Sequence, residues 1–151
     1  MKRQWSDGLY LGMQQPDAIR SLHDIVVARL PDATVVDGTS GLEVTYGGWT
    51  AYVHRHQYRG DDALVIFGKI GEEALAPPRA VLELSSQLGS GGIGLFACTY
   101  VVRVAIPMAR LEQASLGDSI KYVASLAARL ARQLNRLRPD LSSFASSYGG
   151  Y

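Results

Sequence analysis

The chain has 151 residues, enough for one domain with its own apolar core and no need of a disulfide or metal staple. Hydrophobic residues make up 47% and charged residues 19%, and 15 Lys and Arg against 14 Asp and Glu leave a net charge of +1. That balance excludes an overall field drawing the chain to nucleic acid or an anionic membrane surface, and the lack of a long apolar run or an apolar stretch behind Lys2 and Arg3 points to the cytosol.

Residues 1–15 hold Trp5, Tyr10 and Leu11 among glycines with no sustained period, and they read as an aromatic N-terminal arm. From Pro16, apolar residues at Ile19, Leu22, Ile25, Val26 and Leu30 recur at helical spacing, so a helix is predicted over 16–30, stopped by Pro31. Ala33 to Val36 and Leu42 to Tyr46 follow as strands around an Asp37-Gly38 turn. Gly47-Gly48 supplies the positive φ angles of a tight hairpin leading into a strand from Trp49 to Tyr58. A turn over Arg59 to Asp62 leads to a further strand from Ala63 to Ile70, completing a meander of about four strands.

Gly71 to Pro78 reads as a connection, and Pro77-Pro78 opens a short helix carrying Val81, Leu82, Leu84 and Leu88. Ile93 to Cys98 and Val101 to Ile106 are either a strand pair turning near Thr99-Tyr100 or one bent strand. Cys98, in an apolar run, is expected as a small buried hydrophobe. Ile120, Val123, Leu126, Ala127, Leu130, Leu134 and Leu137 then form one face of a long helix, capped by Asp118 or Ser119 and ended by Pro139. Ala124, Ala127, Ala128 and Ala131 keep it thin enough for close approach to a sheet or a second helix. Residues 139–151 are small and polar with three aromatics and read as a flexible tail, leaving 16–138 as a single α+β domain.

Gly89-Ser90-Gly91-Gly92-Ile93-Gly94 spells the G-x-G-x-x-G of dinucleotide loops. Such a loop needs a strand before it and a helix after it, whose N-terminal amides face the pyrophosphate. Here the order is reversed, so Gly89 is expected to stop the second helix in a left-handed conformation.

His54 and His56 lie two apart on one strand face, a spacing that can chelate zinc, with Asp61 and Asp62 nearby but no obvious third ligand. Alternation turns Ala51 and Val53 toward the helices, and therefore Tyr52, His54, His56 and Tyr58 away from them. Two readings of that row stand side by side. Its rings, with Trp49, contact a partner, or another segment such as an aromatic terminal arm covers them. No G-x-S-x-G elbow occurs, His23 sits beside Asp24 on a helix as a surface pair, and no catalytic, cofactor-binding or metal-binding residue is assigned.

VLELSSQLG, IGLFACTYVVRVAIPM and SIKYVASLAARLARQL, taken in that order with Ile106-Pro107 and Leu116 to Leu134 in place, resemble the type III secretion chaperone-like fold, which includes the Tir-chaperone family and the YbjN-like bacterial proteins. The likeness spans roughly residues 16–138 and rests on element order rather than an invariant signature. It implies an α+β domain with a helix, a meander, a helix, two strands and a long closing helix on one sheet face. It further implies a cytoplasmic, non-catalytic homodimer that needs no cofactor and binds a protein or peptide client, as a chaperone or adaptor for a secreted or effector protein. An immunity-type inhibitor of a cognate toxin and, less favoured, a small metal-binding enzyme using His54 and His56 are the alternatives.

Overall fold

A computed structural model describes residues 16–38, 41–111 and 115–137. The proposed arm and tail lie outside the described residues. Helix α1 (Pro16–Arg29) is followed by strands β1 (Thr34–Asp37), β2 (Gly41–Tyr46), β3 (Trp49–Tyr58) and β4 (Asp61–Glu72). Helix α2 (Pro78–Ser85) then leads to β5 (Gly92–Phe96), β6 (Thr99–Pro107) and the closing helix α3 (Leu116–Leu137). The six strands form one antiparallel sheet in the order β1-β2-β3-β4-β6-β5. The protein is α+β, as its element order implies. Because β6 inserts beside β4, β5 becomes an edge.

Three hairpins of the sheet are closed by two-residue turns whose residues both have positive φ: Gly47-Gly48, Arg59-Gly60 and Ala97-Cys98. This geometry matches the twist of the flanking strands. The last of them corrects the sequence reading, which placed the turn at Thr99-Tyr100. It also corrects Cys98, which is exposed at the turn rather than buried. Nothing in the residue types announces it, since Ala and Cys both carry a Cβ that disfavours the left-handed region.

Alternation along the strands separates two faces. On one stand Leu42, Val44, Val53, Leu64, Ile66 and Val102, all nearly inaccessible, packed with Val26 of α1, Val81 and Leu84 of α2, and Ile120, Val123 and Leu130 of α3. Each such side chain stabilises the fold by about 1.5–3 kcal/mol relative to exposure. Helix α3 comes closest at β4: a Cβ added at Gly68 would stand 2.5 Å from the Ala127 Cβ. The alanine face is thus spent on the sheet at that point.

Local ends differ from expectation in instructive ways. Ser115, not Asp118 or Ser119, caps α3: its carbonyl accepts from the Ser119 amide at 2.9 Å while its hydroxyl donates to Asp118 Oδ2 at 2.6 Å. Helix α2 ends at Ser85, with Leu88 amide bonding back to the Ser85 carbonyl, and the left-handed residue is Gly91 (φ 78) rather than Gly89. At Gly91 a Cβ would meet the Arg103 carbonyl oxygen at 2.5 Å, so the chain passes over β6 where only glycine fits. His23 pairs with Asp37 at the end of β1 instead of with neighbouring Asp24, tying α1 to the sheet.

Candidate functional site: the outer face of the sheet

The face turned from the helices carries a second apolar cluster. Strand β3 supplies Tyr52, His54 and His56, paired in register with Phe67, Val65 and Ala63 of β4. Phe67 is in turn opposite Arg103 of β6, and Val101 and Arg103 are opposite Gly94 and Gly92 of β5. The alternation expected of the Tyr52, His54, His56 row is therefore the one observed. Tyr58, at the end of β3, keeps the same register parity opposite Asp61.

Trp49 departs from the group. It is opposite Tyr46 and shares the parity of Ala51 and Val53, so it stands on the helix side at the rim of the first hairpin, partly exposed. The structure does not bring it together with the row.

Phe67 organises the face. Its ring lies 5.5 Å from Tyr52, nearly parallel, 4.8 Å from the His54 imidazole, and 6.4 Å from Phe96, all centroid to centroid. These are the separations at which ring pairs add about 0.5–1.5 kcal/mol beyond area burial. Lys69 Nζ sits 5.1 Å from the Tyr52 ring centre, closing one margin with a cation over the aromatic face. His54 owes its position to Gly41: a Cβ there would come within 2.8 Å of the imidazole, so the ring lies over bare backbone of β2. Val65 and Phe67 are each 2% exposed and His54 is 5% exposed. Burial lowers the His54 pKa to about 4, because the charged form would be stripped of water. The imidazole is neutral at pH 7.

Beyond Phe67 the cluster opens into a groove of about 150 Å³ lined by Val65, Phe67, Gly94, Leu95, Phe96, Val101 and Arg103. Its shape comes from glycines. Gly92 and Gly94 share the outward register of Arg103 and Val101, and a Cβ at either would meet nothing within 4 Å. The residues that spell a phosphate loop are thus partly strand, and their missing side chains leave the trough. Sequence reading missed this because it weighed the glycines only as a phosphate loop or a helix stop, never by which strand face they share; the signal available was their spacing of two.

The zinc alternative loses Asp62. That carboxylate stands on the helix side with Gln57 and receives two hydrogen bonds from Arg55, at 2.9 and 2.7 Å, which hold it below the usual carboxylate range. Among the described residues no group of three His, Cys, Asp or Glu could hold a metal ion. No helix among the described residues is long and apolar enough to cross a membrane.

No protein-family model matches the chain, and no curated protein matches it. Among solved structures, a chain from the HopA1-SchA chaperone-effector complex is similar, with a TM-score of 0.52 at 14% identity, covering 78% of this chain and 92% of that one. At that identity the likeness is one of fold: the α+β arrangement described above is shared with a chain of a chaperone-effector complex.

Proposed function

We propose that this protein is a non-catalytic binding module, a chaperone or adaptor that holds an extended segment of a secreted or effector protein. The observation that carries this is the groove beside the β5 edge. Strand β5 is uncharged, no strand among the described residues pairs with its outer backbone edge, and Leu95 is half exposed. An open edge of this kind is a template for an added strand, in which main-chain hydrogen bonds give affinity and alternate side chains drop into adjoining pockets. Five residues span about 17 Å, and the trough over Gly92 and Gly94 receives the side chains on one face. Tyr52 and His56, half-buried on the same face, extend the contact across β3.

The fold shared with a chain of a chaperone-effector complex supports the class of function. A homodimer belongs to the same proposal: Ala128 and Ala131 remain half-buried on α3, small enough for a second helix to approach. Solution mass at several concentrations tests that part, and a monomer throughout refutes it.

The binding mode is tested by placing a photo-crosslinking residue at Leu95 in the native cell and identifying the segment captured. That segment, made as a peptide, is expected to bind the wild type and to lose at least about tenfold in affinity to Gly94→Val, which fills the trough. Equal affinity for both proteins would refute the groove as the client site.

A further inference from the structure

One residue of the groove is charged. Beside Val65, Phe67, Phe96, Val101 and bare Gly94 stands Arg103, which is exposed. Register fixes what surrounds that cation on the outer face. Phe67 and Gly92 are opposite it, Val101 and Ala105 are its outward neighbours along β6, and Val65, Gly94 and Lys69 lie on the diagonals. Every one of them is apolar or cationic. The carboxylate in its own cross-strand row is Glu43, beyond Phe67 and Tyr52 and three strand spacings, about 14 Å, away. Among the described residues none forms an ion pair or a side-chain hydrogen bond with Arg103.

We propose that Arg103 selects the client: the segment that adds to β5 carries an acidic side chain two residues from a large apolar one. This rests on the groove being the client site. A strand added at the β5 edge continues two cross-strand rows, one through Gly92 to Arg103 and Phe67, the other through Gly94 to Val101 and Lys69. It lies two strand spacings from β6, about 10 Å. A Cβ at Gly92 or Gly94 would meet nothing within 4 Å, so both rows are open from the edge inward.

The two rows offer different chemistry. In the Gly94 row a side chain reaches Val101, with Phe96, whose ring centre is 6.4 Å from that of Phe67, as its wall. That seat takes Leu, Ile, Met or Phe. In the Gly92 row a side chain reaches Arg103, whose weakly hydrated, forked guanidinium pairs with a carboxylate through two N–H donors. Side chains on one face of a strand are two residues apart. The pattern is therefore apolar-x-acidic for a strand antiparallel to β5 and acidic-x-apolar for a parallel one. Strand β5 of a second copy has no acidic residue and does not fit it. An ion pair at an exposed rim is worth up to about fivefold in affinity, so the apolar seat and main-chain pairing carry the rest.

Selection from a phage-displayed library of random short segments on the full chain tests this. The wild type is expected to enrich segments with Asp or Glu two positions from an apolar residue. Arg103→Gln should erase the acidic preference while keeping the apolar one, and Arg103→Glu should replace it with Lys or Arg. A peptide made from the wild-type selection should bind about three- to fivefold more weakly once its acid is changed to the amide, and that difference should vanish on Arg103→Gln. Enriched segments that are lost on Gly94→Val yet show no acidic position would overturn the proposal and leave the groove as a client site. So would an acidic preference that survives in Arg103→Glu. Failure of the wild type to enrich any segment over Gly94→Val would overturn both.

Discussion

His54 is the one buried polar side chain in the described core, and its cost is set by pH. The ring is accommodated by the missing Cβ of Gly41 on one side and the Phe67 ring on another, surroundings that suit a neutral imidazole and penalise a cation. Its folded pKa of about 4 lies below the unfolded 6.5, so above pH 6.5 the group contributes nothing to the pH dependence. As pH falls from 6.5 toward 4 the unfolded chain takes up the proton first, and the folded state loses stability across that window. The loss attributable to His54 at pH 4.5 is about 2–3 kcal/mol. We predict that urea denaturation of the wild type will show this decline and that His54→Phe, which keeps a ring over Gly41, will remove that part of it. Parallel pH profiles for the two proteins would show that His54 is not buried as described. The sequence disclosed which way His54 points, because alternation is a local property. It could not disclose the depth of burial, which depends on what lies above the strand and beside it.

At the scale of elements, the helices and strands were legible where period and turn chemistry agreed. Apolar spacing marks α1 and α3, and Gly47-Gly48 marks the first hairpin. The last hairpin was displaced by about two residues because its turn uses Ala97 and Cys98, whose left-handed backbone the surrounding strands impose against local preference. The trough was not legible for a related reason: a strand from Ile93 takes in Gly94 but not Gly92, and only the β5–β6 register shows the two glycines side by side on one face. The docking of α3 onto β4 depends on another glycine. Gly68 faces Ala127 at a separation that leaves no room for a methyl group, and Val123 approaches the same point. We predict that Gly68→Ala destabilises the protein by about 1–3 kcal/mol through overpacking, with no change in element order. Neither atom is at the end of a flexible side chain, so the helix itself must shift. Adding Ala127→Gly should recover part of the loss, since residues in contact couple non-additively. Additive effects of the two changes in urea denaturation would show that the pair does not meet.

For the whole molecule, the distribution of charge separates two ways of holding a client. A carrier that works by electrostatic attraction needs a field, and the net charge of +1 supplies none. The outer face is apolar and aromatic along its centre, with Lys69 and Arg103 at its margins, and the adjoining β5 edge offers backbone groups rather than charges. Apolar burial and main-chain pairing are weakly affected by ionic strength, whereas surface ion pairs lose much of their strength once the screening length falls to about 3 Å in 1 M salt. The segment captured at Leu95 should therefore bind with an affinity that changes by less than about threefold between 0.05 and 0.5 M salt, in contrast to the steep dependence of charge-driven complexes. Calorimetry should also give a negative heat-capacity change, the mark of apolar surface leaving water. An affinity falling by about a hundredfold over the same range would place the recognition on the charged margins, and the trough over Gly92 and Gly94 would then be incidental to it.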